Sequence, residues 1–389
     1  MGAGFGEKKE KAMRLFEYEA KKLFCQCGIP VPQGRLVRSP QEAVEAFREL
    51  RNPAVLKSQV LAGGRGKAGG IRFCATADEA GQGAAELLNS FIQGKQADAL
   101  LMEERIKIKE EHYMGITFEP RAGLPALLLS RKGGVDIEEM DPALIFSEII
   151  DPQDGLPQFK ARALAKKAGF PPSLYVKLGQ IAAQLYGVFV AQEAIILEIN
   201  PLVSREGGEL CALDGKMDLD DDAFFRHPEW AGRPFEGTEI EARARRKNLR
   251  FVELEGDIGI CGNGAGMMMT AMDLIVRKGG RPANFCEAGG AHAQAGSGRG
   301  AIEWWRDAVD LVLSNQKVTR ILFNLVGGNQ RGDEVARGIV EALRNKKIPA
   351  YIRLAGTNQE EGRSILAEHG FRSYETLEEA VAALIQGRD

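Results

Sequence analysis

Along the first half of the chain, helical and strand-like spacings of apolar residues follow one another without a fixed order. Helical spacing predicts helices over Leu15–Cys27 and Pro172–Tyr186. Ser39-Pro40 predicts a further helix start, with Ser39 as the N-cap and Pro40 at the first helical position. Short apolar runs predict strands over residues 54–57, 99–103, 113–118 and 126–130. The charged stretch Gly237–Arg250 ends this half and marks the expected domain boundary.

The second half follows a regular order of strand, glycine-containing turn and helix. Strands are predicted at Asp257–Cys261, Ile321–Val326 and Ala350–Leu354. Helices are predicted after them, over residues 267–277 and from near 333 and near 360. Strands that alternate with helices at this spacing indicate a parallel sheet with helices on its faces. The sequence therefore predicts an α/β fold for this half.

Residues 196–216 carry the clearest signal for chemistry. Two short apolar runs flank a turn centred on Gly207, which predicts a β-hairpin. Asn200 and Asp214 each lie seven residues from Gly207, so we expect them roughly opposite each other on one face. An amide oxygen and a carboxylate in this arrangement form half of a Mg²⁺ site, which phosphates and water complete. An ordinary hairpin with polar ends is the alternative.

Glu198 lies in the same apolar run, two residues before Asn200 and therefore on the same face of the strand. A carboxylate in such a run is costly unless a cation or a metal lies beside it. We interpret Glu198 as a residue placed for function.

A glycine-rich loop follows the strand that ends at Lys57. The loop Gly63–Gly70 contains Arg65 and Lys67, and such a combination of glycines and cations suits phosphate oxygens. It departs from the Walker pattern, because Leu61 stands where the leading glycine is required and alanine follows Lys67. A flexible basic loop is the alternative interpretation.

Glycine turns also precede the helices of the second half. The run Gly327-Gly328-Asn329-Gln330 lies between a predicted strand and a helix start. Ligands of parallel sheets bind beyond the carboxyl ends of the strands, and helix N-termini attract anions. The run is therefore a candidate anion site.

Composition limits the class of protein. The chain has 389 residues, which suggests two or three domains. Its 44% hydrophobic and 27% charged residues are typical of a globular protein, and a net charge of -3 gives no argument for nucleic acid or anionic lipid. No apolar run approaches the roughly 20 residues that span a bilayer. The six cysteines include no CxxC pair, which argues against a zinc site and favours reduced thiols in a cytoplasmic protein.

Six motifs occur in one order along the chain. They are Leu15–Lys21, Ala62–Gly70, Gly133–Glu138, Glu198–Leu202, Leu213–Lys216 and Asn263–Gly266. This set resembles the β subunit of succinyl-CoA synthetase (succinate–CoA ligase), and the resemblance covers about Met13 to Gly387.

Residues 1–12 are rich in Gly and Lys without an apolar core, which predicts a disordered extension rather than a secretory signal. The resemblance implies an ATP-grasp nucleotide-binding domain at 13–245 and a flavodoxin-like CoA-ligase domain at 246–389. It implies an ADP- or GDP-forming acid–CoA ligase that uses Mg²⁺ and ATP or GTP. It also implies a partner α subunit, in an αβ or α₂β₂ complex, which binds CoA and carries a histidine that is phosphorylated during turnover. The remaining partner is a small-molecule acid, with no nucleic acid and no membrane.

The same resemblance assigns roles to residues of this chain. The implied nucleotide-binding residues are Lys57, Gly64, Arg65, Gly66, Glu103, Ile106 and Glu111. Asn200 and Asp214 are the implied Mg²⁺ ligands, and Glu198 is the implied catalytic residue, which steadies the phosphohistidine. The implied substrate-binding residues are Asn263, Gly327, Gly328 and Asn329.

The substrate half departs from the usual pattern of these β subunits. Cys286-Glu287-Ala288 stands where Leu-Asp-Val is usual, and Asn329-Gln330 replaces two apolar residues. We expect the added amides to suit an acid more polar than succinate, such as malate or sulfoacetate. Unchanged use of succinate is the alternative. His292 lies in a Gly-rich segment that resembles the α-subunit histidine motif, but at a position where we expect only a loop or substrate contact.

Two other functions remain open at this level. One is a self-contained ATP-grasp ligase that joins a carboxylate to an amine without an α subunit. The other is a non-catalytic β homologue whose altered loops abolish turnover.

Overall fold

The computed structural model describes residues 13–50, 53–61, 64–230, 238–288, 300–328 and 330–387. The chain separates into two compact units, Met1–Glu236 and Gly237–Asp389. The expected extension at 1–12, His292 and Asn329 lie outside the described residues.

The first unit contains helices and antiparallel sheets. Its elements are β1 (Met13–Arg14), α1 (Glu17–Gln26), β2 (Gly34–Val37), α2 (Pro40–Leu50), β3 (Ala54–Ser58), β4 (Ile71–Cys74), α3 (Ala77–Leu88), β5 (Phe91–Ile92), β6 (Lys95–Gln96), β7 (Leu100–Glu104), β8 (Glu110–Glu119), β9 (Leu124–Ser130), β10 (Phe146–Ile149), α4 (Gln158–Lys167), α5 (Tyr175–Ala191), β11 (Ala194–Ser204), β12 (Leu210–Ala212) and β13 (Lys216–Leu219).

Two sheets organise this unit. Seven strands form one sheet in the order β1-β13-β11-β8-β9-β10, with β12 paired to β11, and four form another in the order β2-β7-β3-β4. Helices α4 and α5 bury Leu164, Leu178 and Leu185 in the core of the larger sheet, while α2 and α3 bury alanines against the smaller one. The predicted helix start at Ser39 is confirmed, because its hydroxyl accepts a hydrogen bond from the Glu42 N–H at 3.2 Å.

The second unit is built on a mostly parallel sheet. Its elements are α6 (Glu239–Arg246), β14 (Arg250–Glu253), β15 (Ile258–Gly262), α7 (Ala265–Arg277), β16 (Pro282–Glu287), α8 (Ala301–Val312), β17 (Arg320–Gly327), α9 (Gly332–Leu343), β18 (Ala350–Gly356), α10 (Gln359–Glu368), β19 (Ser373–Tyr374) and α11 (Leu377–Gln386). The strand order is β14-β16-β15-β17-β18-β19, and only β14 is antiparallel to its neighbour.

Without β14, this is the 2-1-3-4-5 order of flavodoxin-like folds, as expected. One face of the sheet packs against α8, α9 and α10, and the other against α7 and α11. The helix after β15 and the helix after β17 therefore leave on opposite faces. This is the position at which α/β sheets open a crevice for ligands.

The division between the units differs from the boundary expected at 245–246. Helix α6 belongs to the second unit, where its Ala244 is buried in the same core as Trp305 and Phe323. The charge of the stretch 237–250 suggested the boundary, but Arg243, Arg245 and Arg246 lie on α6, which packs through Ala244, and Arg250 begins β14.

Among the described residues, one helical segment, Pro172–Ala191, is long and apolar enough to suit a membrane span. Its buried side chains, which include Leu178, Ile181 and Leu185, belong to the core of the first unit. A helix of this kind is equally expected in the interior of a globular unit.

Candidate nucleotide and metal site

The predicted hairpin is present with the expected register. Ser204 pairs with Leu210 across the β11–β12 turn, and Glu198 pairs with Lys216 between β11 and β13. Both pairs are centred on Gly207, so Asn200 and Asp214 occupy equivalent positions on the two segments between these pairs.

Each of these two side chains is tied to a different loop of the first unit. The Asn200 Oδ1 accepts a hydrogen bond from the Gly134 N–H at 2.8 Å, and its Nδ2 donates to the Val135 carbonyl at 2.8 Å. The Asp214 carboxylate accepts from the Arg65 Nη2 at 2.8 and 2.9 Å. The hairpin therefore joins the glycine-rich loop to the Gly133–Glu138 motif.

The glycine-rich loop forms a tight turn that directs Arg65 toward the hairpin. Gly64 has a φ of +63°, a conformation that favours glycine. The Gly70 N–H donates to the Arg65 carbonyl at 2.8 Å, and the Ser58 N–H at the end of β3 donates to the Gly70 carbonyl at 2.9 Å. The Arg65 Nη1 donates back to the Ser58 carbonyl at 3.2 Å.

Behind this loop lies a group of charged side chains that we call the ion cluster. Its members are Glu17, Lys21, Lys57, Arg65, Glu103 and Asp214.

Four members of the ion cluster close a ring of alternating charge. The Glu17 Oε1 lies 2.8 Å from both the Lys21 Nζ and the Lys57 Nζ. Glu103 contacts the same two lysines, at 2.7 and 3.0 Å. The second oxygen of Glu17 lies 2.8 Å from the Arg65 Nη2, which connects the ring to the glycine-rich loop.

Burial and pairing shift the pKa values of this cluster in opposite directions. Burial alone raises the pKa of Glu17, but Lys21, Lys57 and Arg65 together hold it well below its ordinary value. Burial alone lowers the pKa of Lys57, but Glu17, Glu103 and Asp214 raise it above its ordinary value. Glu17 and Lys57 are therefore both charged near neutral pH.

Glu198 has a separate pair of partners. The Tyr113 hydroxyl donates to its Oε2 at 3.1 Å, and the Lys216 Nζ lies 3.6 Å from its Oε1. Burial raises the pKa of Glu198, whereas Lys216 and the Tyr113 hydrogen bond oppose that shift.

An open cleft of about 580 Å³ adjoins these residues. Its lining residues are Gly64, Lys67, Ala68, Gln93, Asp136, Glu138, Glu139 and Lys216. The glycine-rich loop and the Lys216 partner of Glu198 thus border one space.

Three of the implied nucleotide-binding residues, Glu103, Ile106 and Glu111, have dissimilar surroundings. Glu103 is only 3% exposed, and both of its oxygens face Lys21 at 2.7 Å, so its carboxylate serves the ion cluster. Ile106 is half-buried in the connection from β7 to β8. Glu111 is exposed, and its side chain lies against Gly134. A Cβ added to Gly134 would be 2.1 Å from the Glu111 Oε2.

In the second unit, Asn263 follows β15 and bridges to β17. Its Nδ2 donates to the Val326 carbonyl at 2.8 Å, and its Oδ1 accepts from the Val326 N–H at 3.0 Å. Gly327 ends β17. Its carbonyl oxygen lies so close to Gly356 that a Cβ added to Gly356 would be 2.2 Å from that oxygen. Gly328 is exposed beside them. Asn263 therefore holds the two strand ends at the expected crevice.

The surroundings of Gln330 differ from the expectation of an available amide donor. Gln330 is 5% exposed, and its Nε2 donates to the Ala288 carbonyl at 3.1 Å. Asp333, at the start of α9, accepts hydrogen bonds from Arg331 and Asn358, each at 3.1 Å. The Gln330 donor is used within the fold, which removes one of the two amides behind the expectation of a more polar acid.

Sequence reasoning assigned no role to Glu17, Lys21 or Tyr113. For the first two a signal existed: residues 17, 20, 21 and 24 form one stripe of α1, and that stripe is buried. Charged residues on the buried face of a helix require partners, so the stripe indicates an internal ion pair.

Comparison with known proteins identifies two domain families in this chain. Residues 14–204 match the ATP-grasp domain family, and residues 262–386 match the CoA-ligase family. The succinate–CoA ligase [ADP-forming] subunit β of Natronomonas pharaonis is 42% identical, over 96% of this chain and 98% of that protein. The protein of the same name from Staphylothermus marinus is 38% identical, over 96% and 98%.

The chain belongs to the succinate–CoA ligase β-subunit family. Membership confirms an ATP-grasp domain followed by a CoA-ligase domain, and it places the chain in a family of enzymes. An ATP citrate lyase of Methanothrix soehngenii, solved with citrate and coenzyme A, has the same fold at 20% identity. Its TM-score is 0.69, with 97% of this chain and all of that chain covered.

Proposed function

We propose that this family member is the nucleotide-binding subunit of an ADP-forming ligase that joins a short dicarboxylic acid of the succinate class to CoA. In this proposal an α subunit binds CoA and carries the histidine that relays the phosphoryl group. Relatives at 38–42% identity are named for succinate and ADP, which supports this choice of acid and nucleotide.

One observation carries the proposal. The hairpin carries Glu198 and Asn200 in the middle of β11 and Asp214 on the returning segment between β12 and β13, and Asp214 is hydrogen-bonded to Arg65 of the glycine-rich loop. One hairpin and the loop bonded to it thus hold the candidate groups for three tasks, beside a cleft. Glu198 can orient an imidazole, Asn200 and Asp214 can bind a metal, and Arg65 can bind phosphate.

The donor chemistry of Asn200 and Asp214 fits Mg²⁺. Both supply oxygen, and Mg²⁺ is usually bound through one or two such groups together with phosphates and water. The Asn200 carbonyl oxygen has two lone pairs, one of which accepts the hydrogen bond from the Gly134 N–H. The Asp214 side chain is 37% exposed. When bound there, Mg²⁺ offsets the charge of the nucleotide phosphates.

The protein groups act on charge and position. Arg65 and the backbone N–H groups near Gly64 and Gly66 bind phosphate oxygens, and Lys57 adds positive charge from behind the loop. The bond from the γ-phosphorus to the ADP oxygen breaks as a bond to an imidazole nitrogen of the α subunit forms. Glu198 accepts a hydrogen bond from the other ring nitrogen, which orients the imidazole and stabilises its charge.

The second unit supplies the acid site in this proposal. Asn263, Gly327 and Gly328 lie at the carboxyl ends of β15 and β17, and α9 begins just beyond them. The phosphohistidine transfers its phosphoryl group to the acid carboxylate there. The CoA thiolate then attacks the acyl phosphate, which gives the thioester and releases phosphate.

The test is reconstitution with the α subunit encoded beside this gene. We expect ADP formation to require the α subunit, CoA and Mg²⁺, with succinate preferred over malate and sulfoacetate. ADP formation by this chain alone with an amine acceptor, or no turnover with any acid in a stable complex, would contradict the proposal.

A matched pair of variants tests the role of Glu198. Glu198→Gln keeps the shape but removes the charge, and we expect phosphorylation of the α subunit to slow by about 100-fold or more. Glu193→Gln removes a carboxylate that pairs with Arg226 and His227 just before β11, and we expect no such change. Equal rates for both variants would remove Glu198 from the mechanism.

A further inference from the structure

Tyr113 approaches the proposed catalytic carboxylate from its buried side. Tyr113 is 3% exposed and lies on β8, the strand next to β11. Its hydroxyl donates to the Glu198 Oε2 at 3.1 Å. On β8, however, the residue directly opposite Glu198 is Gly115, two positions further along.

The absence of a side chain at Gly115 makes this contact possible. Residues 113 and 115 point to the same face of a strand. A Cβ at position 115 would lie 2.5 Å from the Tyr113 hydroxyl oxygen and 3.0 Å from the ring Cζ. The tyrosine ring therefore lies across the glycine to reach Glu198, and any larger residue would displace it.

The two oxygens of Glu198 consequently differ. The Oε2 is held from the buried side by Tyr113, while the Oε1 faces Lys216, which lines the cleft. A carboxylate held on one oxygen has fewer accessible rotamers, so the other oxygen presents a defined acceptor toward the cleft.

We propose that Tyr113 is the positioning residue of Glu198 and that Gly115 is the position that admits it. This inference rests on the proposed function, because it assigns a purpose to the orientation of Glu198. Tyr113 itself does not touch the phosphoryl group. It acts through the carboxylate, in the manner of the partners that orient metal ligands and catalytic groups.

The first test is Tyr113→Phe in the complete complex with the α subunit. We expect kcat for phosphorylation of the α subunit by ATP to fall by about 10-fold or more, the usual effect of losing an orienting partner. The KM for ATP and the Kd for ADP should stay within twofold. Tyr186→Phe, which removes a hydroxyl on α5 of the same unit, is the control and should leave kcat unchanged.

The second test uses the contact between the two positions. Gly115→Ala should lower kcat by a similar factor, because its Cβ must displace the hydroxyl. In the Tyr113→Phe background the same alanine should lower kcat little further, because the hydroxyl that holds Glu198 is already absent and only the ring, at 3.0 Å, remains to be moved. The effects of the two substitutions are therefore expected to be strongly non-additive.

The outcomes separate this inference from the function it rests on. If the wild-type complex is not phosphorylated by ATP, the proposed function fails. If it is phosphorylated and Tyr113→Phe matches its kcat, the positioning role is refuted. The positioning role is also refuted if Tyr113→Phe weakens ADP binding as much as it lowers kcat. It is refuted too if the kcat losses of the two single variants multiply in the double variant. Both results indicate a structural role only.

Discussion

Replacing Asp214 by asparagine should change nucleotide binding in opposite directions with and without metal. In the proposed site Asp214 binds Mg²⁺ and Arg65 binds phosphate, yet in this structure the two side chains bind each other. A nucleotide without metal must therefore compete with Asp214 for Arg65. Asp214→Asn removes the charge from that competitor, so we expect metal-free ADP to bind more tightly. We also expect Mg²⁺ to lose its effect on the affinity for ADP.

The expected gain in affinity for metal-free ADP follows from the geometry of the Arg65–Asp214 pair. Hydrogen bonds to charged groups contribute about 1.5–3 kcal/mol. The Arg65 side chain is 10% exposed, but that of Asp214 is 37% exposed, so solvent screens the pair. We therefore take the lower limit of about 1.5 kcal/mol, which corresponds to roughly tenfold tighter binding of metal-free ADP.

Isothermal titration with ADP, in EDTA and in excess Mg²⁺, measures both effects. Glu138→Gln is the matched control, because it removes one negative charge from the cleft lining without touching Arg65. We expect this control to change metal-free affinity by less than about twofold and to keep the Mg²⁺ effect. If both variants tighten ADP equally, general electrostatics explains the result. If Asp214→Asn retains the full Mg²⁺ effect, Asp214 is not a metal ligand.

Three further substitutions test the surrounding structure. Glu17→Gln breaks the buried ring and should lower the free energy of unfolding by about 3–5 kcal/mol at pH 7. Since the pKa of Glu17 is held well below 4.5, the difference in unfolding free energy between wild type and variant, measured with urea, should narrow as the pH falls below about 4.5. A difference that stays constant with pH would contradict this. Gly356→Ala, at φ +101° with a close carbonyl, should lower Tm clearly more than Gly370→Ala, which has a positive φ but open space. Asn263→Ala removes two hydrogen bonds to Val326 and should raise the KM for the acid without changing that for ATP; a change in the KM for ATP alone would contradict this.

The hairpin shows what the sequence specifies directly. A turn centred on Gly207 and the apolar runs beside it determine the register, which gives Asn200 and Asp214 equivalent positions on the two segments of the hairpin. Three strands of the second sheet, β15, β17 and β18, were equally accessible, because each has its own apolar run and glycine turn, whereas β14, β16 and β19 were not predicted. These features depend on residues within about 20 positions of one another.

The ion cluster could not be predicted in this way. Glu103 meets Lys21 across 82 positions, and Arg65 meets Asp214 across 149. Taken singly, such charged residues are typical of exposed positions, and their spacing along the chain does not indicate which residues pair. Gly115 presents the same difficulty, since its small size has a purpose only once Tyr113 and Glu198 lie on neighbouring strands.

The ion cluster also explains why nucleotide and metal should bind together. It contains three cations and three carboxylates: Lys21, Lys57 and Arg65 with Glu17, Glu103 and Asp214. Its charges are therefore balanced before any ligand arrives, so a polyanion gains little unless one carboxylate is neutralised. The Glu17 and Glu103 side chains are 1% and 3% exposed, whereas that of Asp214 is 37% exposed. Asp214 is thus the carboxylate that a divalent cation can reach, and its neutralisation leaves one positive charge in excess, at Arg65, where the phosphates would bind.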